Sequence, residues 1–337
     1  MVCTDSFYTV APKEMARLDV DRRFTNIKFL IEGRHAKIYI ANHEEFEKTL
    51  ILKCVKQETT KKNDFLQEFH YNFHLSPHPN VVKGYDRAFS TSKYFVFIQE
   101  QAPEGDLSFH MKKSGLGELV TKYVIKQIAH ALNFIHSKNL VHRNICLEHI
   151  FVYDRELNCV KLGDFSNIEK IGTLVKKENN RVQWAPPEIC ELLKNEGYQT
   201  RPTEDTWKLG ILIFVCLTGS FPWCAADITD HNYNAWVAWM NRKTNKIPSR
   251  FMCFSPRLLR LFRRMLDPKP EQRSDVSEVY KYLSDPWMLM IPNQCDMKFN
   301  KESSNIFLRT FRYSEKVVRT KLLDFLLGKA ERRPTLQ

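Results

Sequence analysis

The chain has no hydrophobic run approaching the roughly 20 residues that a membrane-spanning helix requires, so no such helix is expected. Its first thirty residues hold Asp5, Glu14, Asp19 and Asp21 and no apolar core segment, which argues against a secretory leader. The nine cysteines are scattered and none forms a C-x-x-C pair. Neither a disulfide framework nor a zinc site is indicated, and free thiols in a reducing compartment fit this usage. A cytoplasmic location is therefore expected, with the nucleus as the alternative. There is no low-complexity tract and no repeat of solenoid period, which leaves an ordinary globular chain of 337 residues, long enough for a large core. Lys and Arg outnumber Asp and Glu by 51 to 39, for a formal charge of +12. The basic residues are dispersed, with clusters at Lys61-Lys62, Lys176-Lys177, Arg257–Arg264 and Arg332-Arg333. No nucleic-acid-binding module accompanies them, so they read as a solvated basic surface, and nucleic acid is not an expected partner.

The apolar pattern divides the chain. Residues 1–23 carry little periodicity and read as an extension. From 24 to 101 the pattern favours strands: Lys37–Ala41 alternates, Leu50–Val55 forms a second run, and Tyr94–Ile98 is apolar enough to be buried. Between them Phe65, Leu66, Phe69, Phe73 and Leu75 fall at helical spacing, and Ser76-Pro-His-Pro79 ends that helix. Beyond Pro103-Glu-Gly-Asp106 the chain turns helical. Leu119–His136 is strongly amphipathic, and Trp207–Leu217 is apolar nearly all round, as for a buried central helix. Further helices are expected over Leu258–Leu266 and Val276–Leu283. Residues 291–337 form a basic tail with an expected amphipathic helix over Ser314–Leu327, closed by Gly328. Its apolar side from Val317 to Leu327 is rimmed by Lys316, Arg319 and Lys321, so contact with an anionic surface is one reading, and packing on the protein is the plainer one.

The chemistry is carried by two short segments. His142-Arg143-Asn144 is followed some twenty residues later by Asp164-Phe165-Ser166. These resemble the catalytic and metal-binding loops of a protein kinase, which usually read His-Arg-Asp and Asp-Phe-Gly. Other segments extend the resemblance over about residues 24–290. Trp184-Ala185-Pro186-Pro187-Glu188 resembles the end of an activation segment. Asp205, Trp207 and Gly210 match the Asp-x-Trp-x-x-Gly of a central helix. Arg273 matches the arginine that pairs with the segment's terminal glutamate, here Glu188. The resemblance implies an α+β, two-lobed protein kinase fold, with a small β-rich lobe and one helix over about 24–101 and a larger helical lobe over about 104–290. It implies ATP and magnesium as cofactors and a protein as substrate or partner. Lys53 would hold the phosphates with Glu68 as its ion-pair partner. Gly33, Ile38, Lys53, Gln99, Glu100 and Ala102 would line the nucleotide, and Asp164 would bind the metal. Within kinases, Leu107–Val152 and Trp207–Trp223 are similar to the SH3-domain-binding kinase family, which is taken to be serine/threonine-specific. No two prolines stand three apart, so an SH3 partner has no support in this sequence.

The departures from that family concentrate in one place. Asn144 stands at the position of the base, and a neutral amide cannot accept the substrate proton that a carboxylate takes. Cys146 replaces a phosphate-contacting lysine. His149 replaces the asparagine of the second magnesium, an oxygen-seeking ion that an imidazole serves badly. Arg181 aligns with the threonine that braces the base, and Ser166 with the last glycine of Asp-Phe-Gly. Ile31, Gly33 and Ala36 take the three places of the glycine loop, and Ile51 crowds the adenine face. Lys53, Glu68, Asp164, Glu188, Asp205 and Arg273 are all kept. This pattern predicts a kept fold with a dismantled transfer site: a pseudokinase that acts by binding or scaffolding. An active, atypical serine/threonine kinase is the alternative. Arg143 and Thr173 raise a further expectation, of a phosphorylated activation segment docking on the arginine.

Overall fold

The computed structural model describes residues 16–17, 24–43, 48–177, 181–194 and 196–289. They divide into two compact units. One comprises residues up to Leu66 and Tyr85–Gln101; the other comprises Gln67–Gly84 and the residues from Ala102 onward. The chain crosses between them inside helix α1, Lys62–Leu75.

The first unit is built on a six-stranded sheet. Its strands are β1 (Ala16–Arg17), β2 (Phe24–Glu32), β3 (Ala36–His43), β4 (Lys48–Lys56), β5 (Gly84–Ser90) and β6 (Tyr94–Glu100), in the order β1-β5-β6-β4-β3-β2. The three strands expected from the apolar pattern are β3, β4 and β6. Strand β2 escapes a period-two reading because it is irregular. Its register against β3 shifts between Thr25 and Lys28 and again between Phe29 and Ile31, and Asn26 has φ of 53°. Each shift moves the following side chains to the other face. Two residues of the expected extension, Ala16 and Arg17, pair in parallel with Phe89 and Ser90. Leu50, Leu52, Val96 and Ile98 fill one side of this sheet.

The second unit holds the large core. Its helices are α2 (Glu118–Ser137), α3 (Pro187–Cys190), α4 (Pro202–Thr218), α5 (His231–Met240) and α6 (Pro256–Met265). Short ribbons join them: β7 (Leu140–Val141) with β10 (Glu169–Lys170), β8 (Ile150–Val152) with β9 (Val160–Leu162), and β11 (Leu174–Lys176) with β12 (Gly197–Gln199). Residues 67–84 belong to this unit for a visible reason. Asn80 donates to Gln127 Oε1 at 3.0 Å and to the Val160 carbonyl at 3.1 Å, and Val82 N–H bonds the Leu162 carbonyl at 2.9 Å.

Helix α4 is the axis of the unit. It starts with Pro202 at its first turn and is buried from Glu204 to Thr218. It ends at Gly219, whose φ of 69° is natural only for glycine and whose N–H reaches Val215 O at 2.8 Å. Aromatic rings pack around it. Trp223 lies 5.7 Å from Trp207, and Trp236 stacks on Phe251 with centroids 4.4 Å apart. The expected helix over 276–283 is instead a 3₁₀ helix, Val276–Tyr282. Its first bond runs from Glu278 N–H to Asp275 O, three residues back, and a seven-residue apolar pattern does not separate a repeat of 3.0 from one of 3.6. The expected helix over 314–327 lies outside the described residues. No described helix is long and apolar enough to cross a membrane.

Candidate functional site

Asp205, in the first turn of α4, organises the segment that follows α2. Its side chain is fully buried. Oδ1 accepts from Arg143 N–H at 2.8 Å, and Oδ2 accepts from His142 N–H at 2.8 Å and faces His136 Nε2 at 2.9 Å. Burial alone would raise this carboxyl, but the hydrogen bond and charge of His136 hold it below its ordinary value. His142 is equally buried. Asn144 N–H points at its Nδ1 at 3.3 Å and its Nε2 faces Gly163 O at 3.2 Å, so the proton is assigned to Nε2. Burial pushes its pKa down to about 4, which fits a neutral ring. Phe165 meets the same ring edge-on at 5.5 Å.

The segment held in this way brings four of the departing residues together. Asn144 Nδ2 donates to Asp164 Oδ2 at 3.0 Å. His149 Nε2 lies 3.1 Å from that same oxygen. His149 Nδ1 faces the carbonyl of Asn144 at 2.8 Å and therefore carries a proton. Arg181, from the activation segment, pairs with Glu148 at 2.9 Å and brings Nη2 to 3.5 Å from His149 Nε2. Burial pushes His149 down, and Asp164 opposes this only in part. Burial raises Glu148, but the charge of Arg181 together with hydrogen bonds and His149 holds it below its ordinary value. Cys146 is buried and its thiol is pushed well up, so it is a neutral apolar group where a lysine was expected to reach a phosphate. Arg143, Asp164 and Arg181 all have positive φ, at 65°, 58° and 59°. Left-handed backbone at non-glycine residues costs free energy and persists where surrounding contacts fix it.

Beneath this cluster lies a charged group that the sequence reading missed. Glu204 and Lys208 are both buried in α4. Tyr198 OH donates to Glu204 Oε2 at 3.4 Å, Arg201 N–H bonds Oε1 at 3.0 Å, and Arg143 Nε is 4.0 Å from Oε2. Lys208 Nζ donates to the carbonyl of Arg143. The signal was available: an acid and a base four residues apart share one face of a helix that is apolar nearly throughout beyond Lys208. Burial raises Glu204 to about 7 despite Lys208 and Arg143. The folded state thus keeps a proton that the unfolded chain releases near the ordinary 4.5, and wild-type stability falls as pH rises through that window. Glu204→Gln does not titrate. Its melting temperature relative to wild type is expected to be higher at pH 8 than at pH 5, and a difference independent of pH would contradict the assignment.

The other residues singled out in the sequence are distributed as follows. Gly33 N–H closes the β2–β3 turn onto Ala36 O at 2.8 Å. Ile38 is the β3 partner of Lys53, and Gln99 and Glu100 are the β6 partners of Ile51 and Leu50. Lys53 Nζ lies 5.9 Å from the Phe97 ring centroid. Ala102 O accepts from Gly105 N–H at 3.3 Å. Glu68 is buried on α1 in the helical unit, and Lys53 belongs to the β-rich unit. Thr173 bonds through its backbone to Lys170 and Thr200. The Arg143 guanidinium donates to Asn167 O at 3.0 Å and Tyr198 OH at 3.2 Å. Arg273 forms two bonds to Glu188, at 2.7 and 2.6 Å, as the resemblance implied.

Magnesium tests this arrangement. The ion demands near-octahedral oxygen ligands at about 2.0–2.1 Å. Here one oxygen of Asp164 already meets an amide donor and an imidazole, with a guanidinium behind them. The residues present do not fit the ion.

The sequence matches the protein kinase domain over residues 24–288. It is 41% identical over 281 residues to the serine/threonine-protein kinase meng-po of Drosophila melanogaster, covering 83% of this chain and 60% of that one. It is 36% identical over 278 residues to the serine/threonine-protein kinase SBK1 of Danio rerio, covering 82% of this chain and 72% of that one. Identity to SBK1 of Mus musculus is 33% over 281 residues, with coverage of 83% and 67%. The chain belongs to the protein kinase family, among relatives that include the SH3-binding kinases. It spans 60% of the length of the first of these relatives. Protein kinase domains in general bind ATP with magnesium and act on or with other proteins.

Proposed function

We propose that this chain is a pseudokinase of the serine/threonine type, with phosphoryl transfer lost or severely impaired and a function carried by binding a protein partner. One observation supports this above the rest: Asn144 Nδ2 donates to Asp164 Oδ2, and His149 Nε2 stands 3.1 Å from the same oxygen. In an active kinase those positions belong to the base and to a metal ligand, and the carboxylate between them belongs to magnesium. Here the amide cannot take a proton, and the lost base assistance alone is typically worth about 10²–10⁴ in rate. Nucleotide binding is weak on this reading. Lys53 is kept, while Ile31 and Ile51 replace smaller residues beside the nucleotide.

The test is phosphate incorporation from labelled ATP with Mg²⁺ or Mn²⁺, into the protein itself and into a basic general substrate, beside Lys53→Ala. No incorporation above that variant is expected, and Asn144→Asp alone is expected to restore none, since His149, Cys146 and Arg181 remain. Incorporation that disappears in Lys53→Ala would establish instead an active, atypical serine/threonine kinase. A sharp gain in Asn144→Asp would point the same way.

A further inference from the structure

We propose that a cavity between the catalytic loop and the end of the activation segment is an anion site, and that its ligand is a phosphorylated side chain of a protein partner. The inference rests on the reading that the chain works by binding a protein, and it names the chemistry that would recognise that protein. The walls of the cavity all belong to the helical unit. Three of them are cationic: Arg143 from the catalytic loop, Arg181 from the activation segment and Lys208 from α4. Among the described residues no carboxylate lines the cavity. Ile145, Trp184 and Ile189 add apolar wall, which suits the carbon stem of a side chain better than a free ion. The volume is about 60 Å³, where a single water needs about 10–15 Å³. That is room for the few heavy atoms of a phosphoryl group. Arg181 is the wall that reaches the surface, with 36% of its side chain exposed.

Lys208 carries the argument. It is 9% exposed, and among the described residues its Nζ makes one bond, to the carbonyl of Arg143, and no ion pair. An ammonium has three N–H donors, so two remain for a ligand. Burying a charge without a counter-ion is costly, and an anion entering the cavity supplies one. The Arg143 guanidinium donates to the neutral oxygens of Asn167 and Tyr198, with Glu204 at 4.0 Å. Burial raises Glu204 to about 7, so near neutral pH that carboxyl is charged only in part. Arg181 shares its charge with Glu148 at 2.9 Å. Lys208 and Arg181 are what this chain adds to the arginine that the resemblance implied. A phosphate monoester carries about −1.5 to −2 charge on three acceptor oxygens, which matches three converging cations better than a carboxylate does.

The experiment titrates the full-length protein, shown to be unphosphorylated by mass spectrometry, into a fluorescein-labelled peptide with one phosphoserine among alanines, and reads the anisotropy. The same peptide with unmodified serine is the control. The phosphorylated form is expected to bind about tenfold more tightly or better, and Lys208→Met is expected to remove that preference. Methionine keeps the length of the side chain and takes a charge out of a buried site, so the variant is expected to fold. Should it not, Arg181→Gln takes its place, since it changes a half-exposed side chain and leaves the core alone, and a weaker preference is again expected. Equal binding of the two peptides would overturn the proposal. So would a folded variant that prefers the phosphorylated form as strongly as wild type does. Inorganic phosphate that raises the melting temperature of wild type but not of Lys208→Met, with no preference between the peptides, would overturn the assignment to a protein partner and leave a site for the free anion. ATP is absent throughout, so failure here leaves the test of phosphoryl transfer untouched.

Discussion

Replacing Arg273 by alanine is expected to destabilise the protein by about 3–5 kcal/mol, the range for leaving one member of a buried ion pair alone. The Arg273 side chain is fully buried and makes both bonds to Glu188. It also donates to the carbonyls of Asp267 at 2.7 Å, Pro268 at 3.3 Å and Thr203 at 3.4 Å, and lies 4.8 Å from the Trp207 ring. Alanine would leave all of these acceptors and a void against the indole. Lysine would not rescue the site, because it has no planar fork to meet both carboxylate oxygens. Urea unfolding measures the effect, and a loss below about 1 kcal/mol, the scale of an exposed pair, would refute the buried role assigned to it. The pair does no chemistry. It fixes the end of the activation segment to the core whether or not the protein transfers phosphate.

Asp205→Ala is expected to have an effect of similar size, but with a local signature. The change leaves the N–H groups of His142 and Arg143 without their acceptor, at about 1–3 kcal/mol for each buried donor, and strands His136 as well. Hydrogen exchange at residues 142–143 should rise by more than the global loss of stability accounts for. If those amides keep their protection, the carboxylate is not what holds the loop. Asp205 on α4 thus shapes the loop before the site, and Arg273, which reaches Thr203 O and the Trp207 ring of α4 from a later segment, anchors the segment after it.

Much of this was legible from residue order. The strands Lys37–Ala41, Leu50–Val55 and Tyr94–Ile98 and the helices around Val124, Trp207 and Leu258 follow from periodicity, because burial imposes it. Strand β2 was not legible, since two register shifts break its alternation. At the site, the sequence located Asn144, Cys146, His149 and Arg181 by their departure from an expected pattern and Asp164 by its agreement with it, and it expected the departures to gather in one place. It did not say that Asn144 and His149 would share one oxygen, nor that Arg181 would choose Glu148, because both depend on where two loops distant in sequence meet. Glu204 and Lys208 were overlooked for a different reason. A reading aimed at catalytic motifs passes over charges inside an apolar helix, although burying them demands partners.

Arg143 carries a consequence for control. An arginine at this place, by the resemblance, waits for a phosphate to arrive on the activation segment. In this chain its guanidinium is already occupied by Asn167 and by Tyr198 at the foot of the β11–β12 ribbon. A phosphate arriving on the activation segment would have to compete with these two neutral partners for the guanidinium, so its arrival would exchange contacts at this arginine and not fill an empty place.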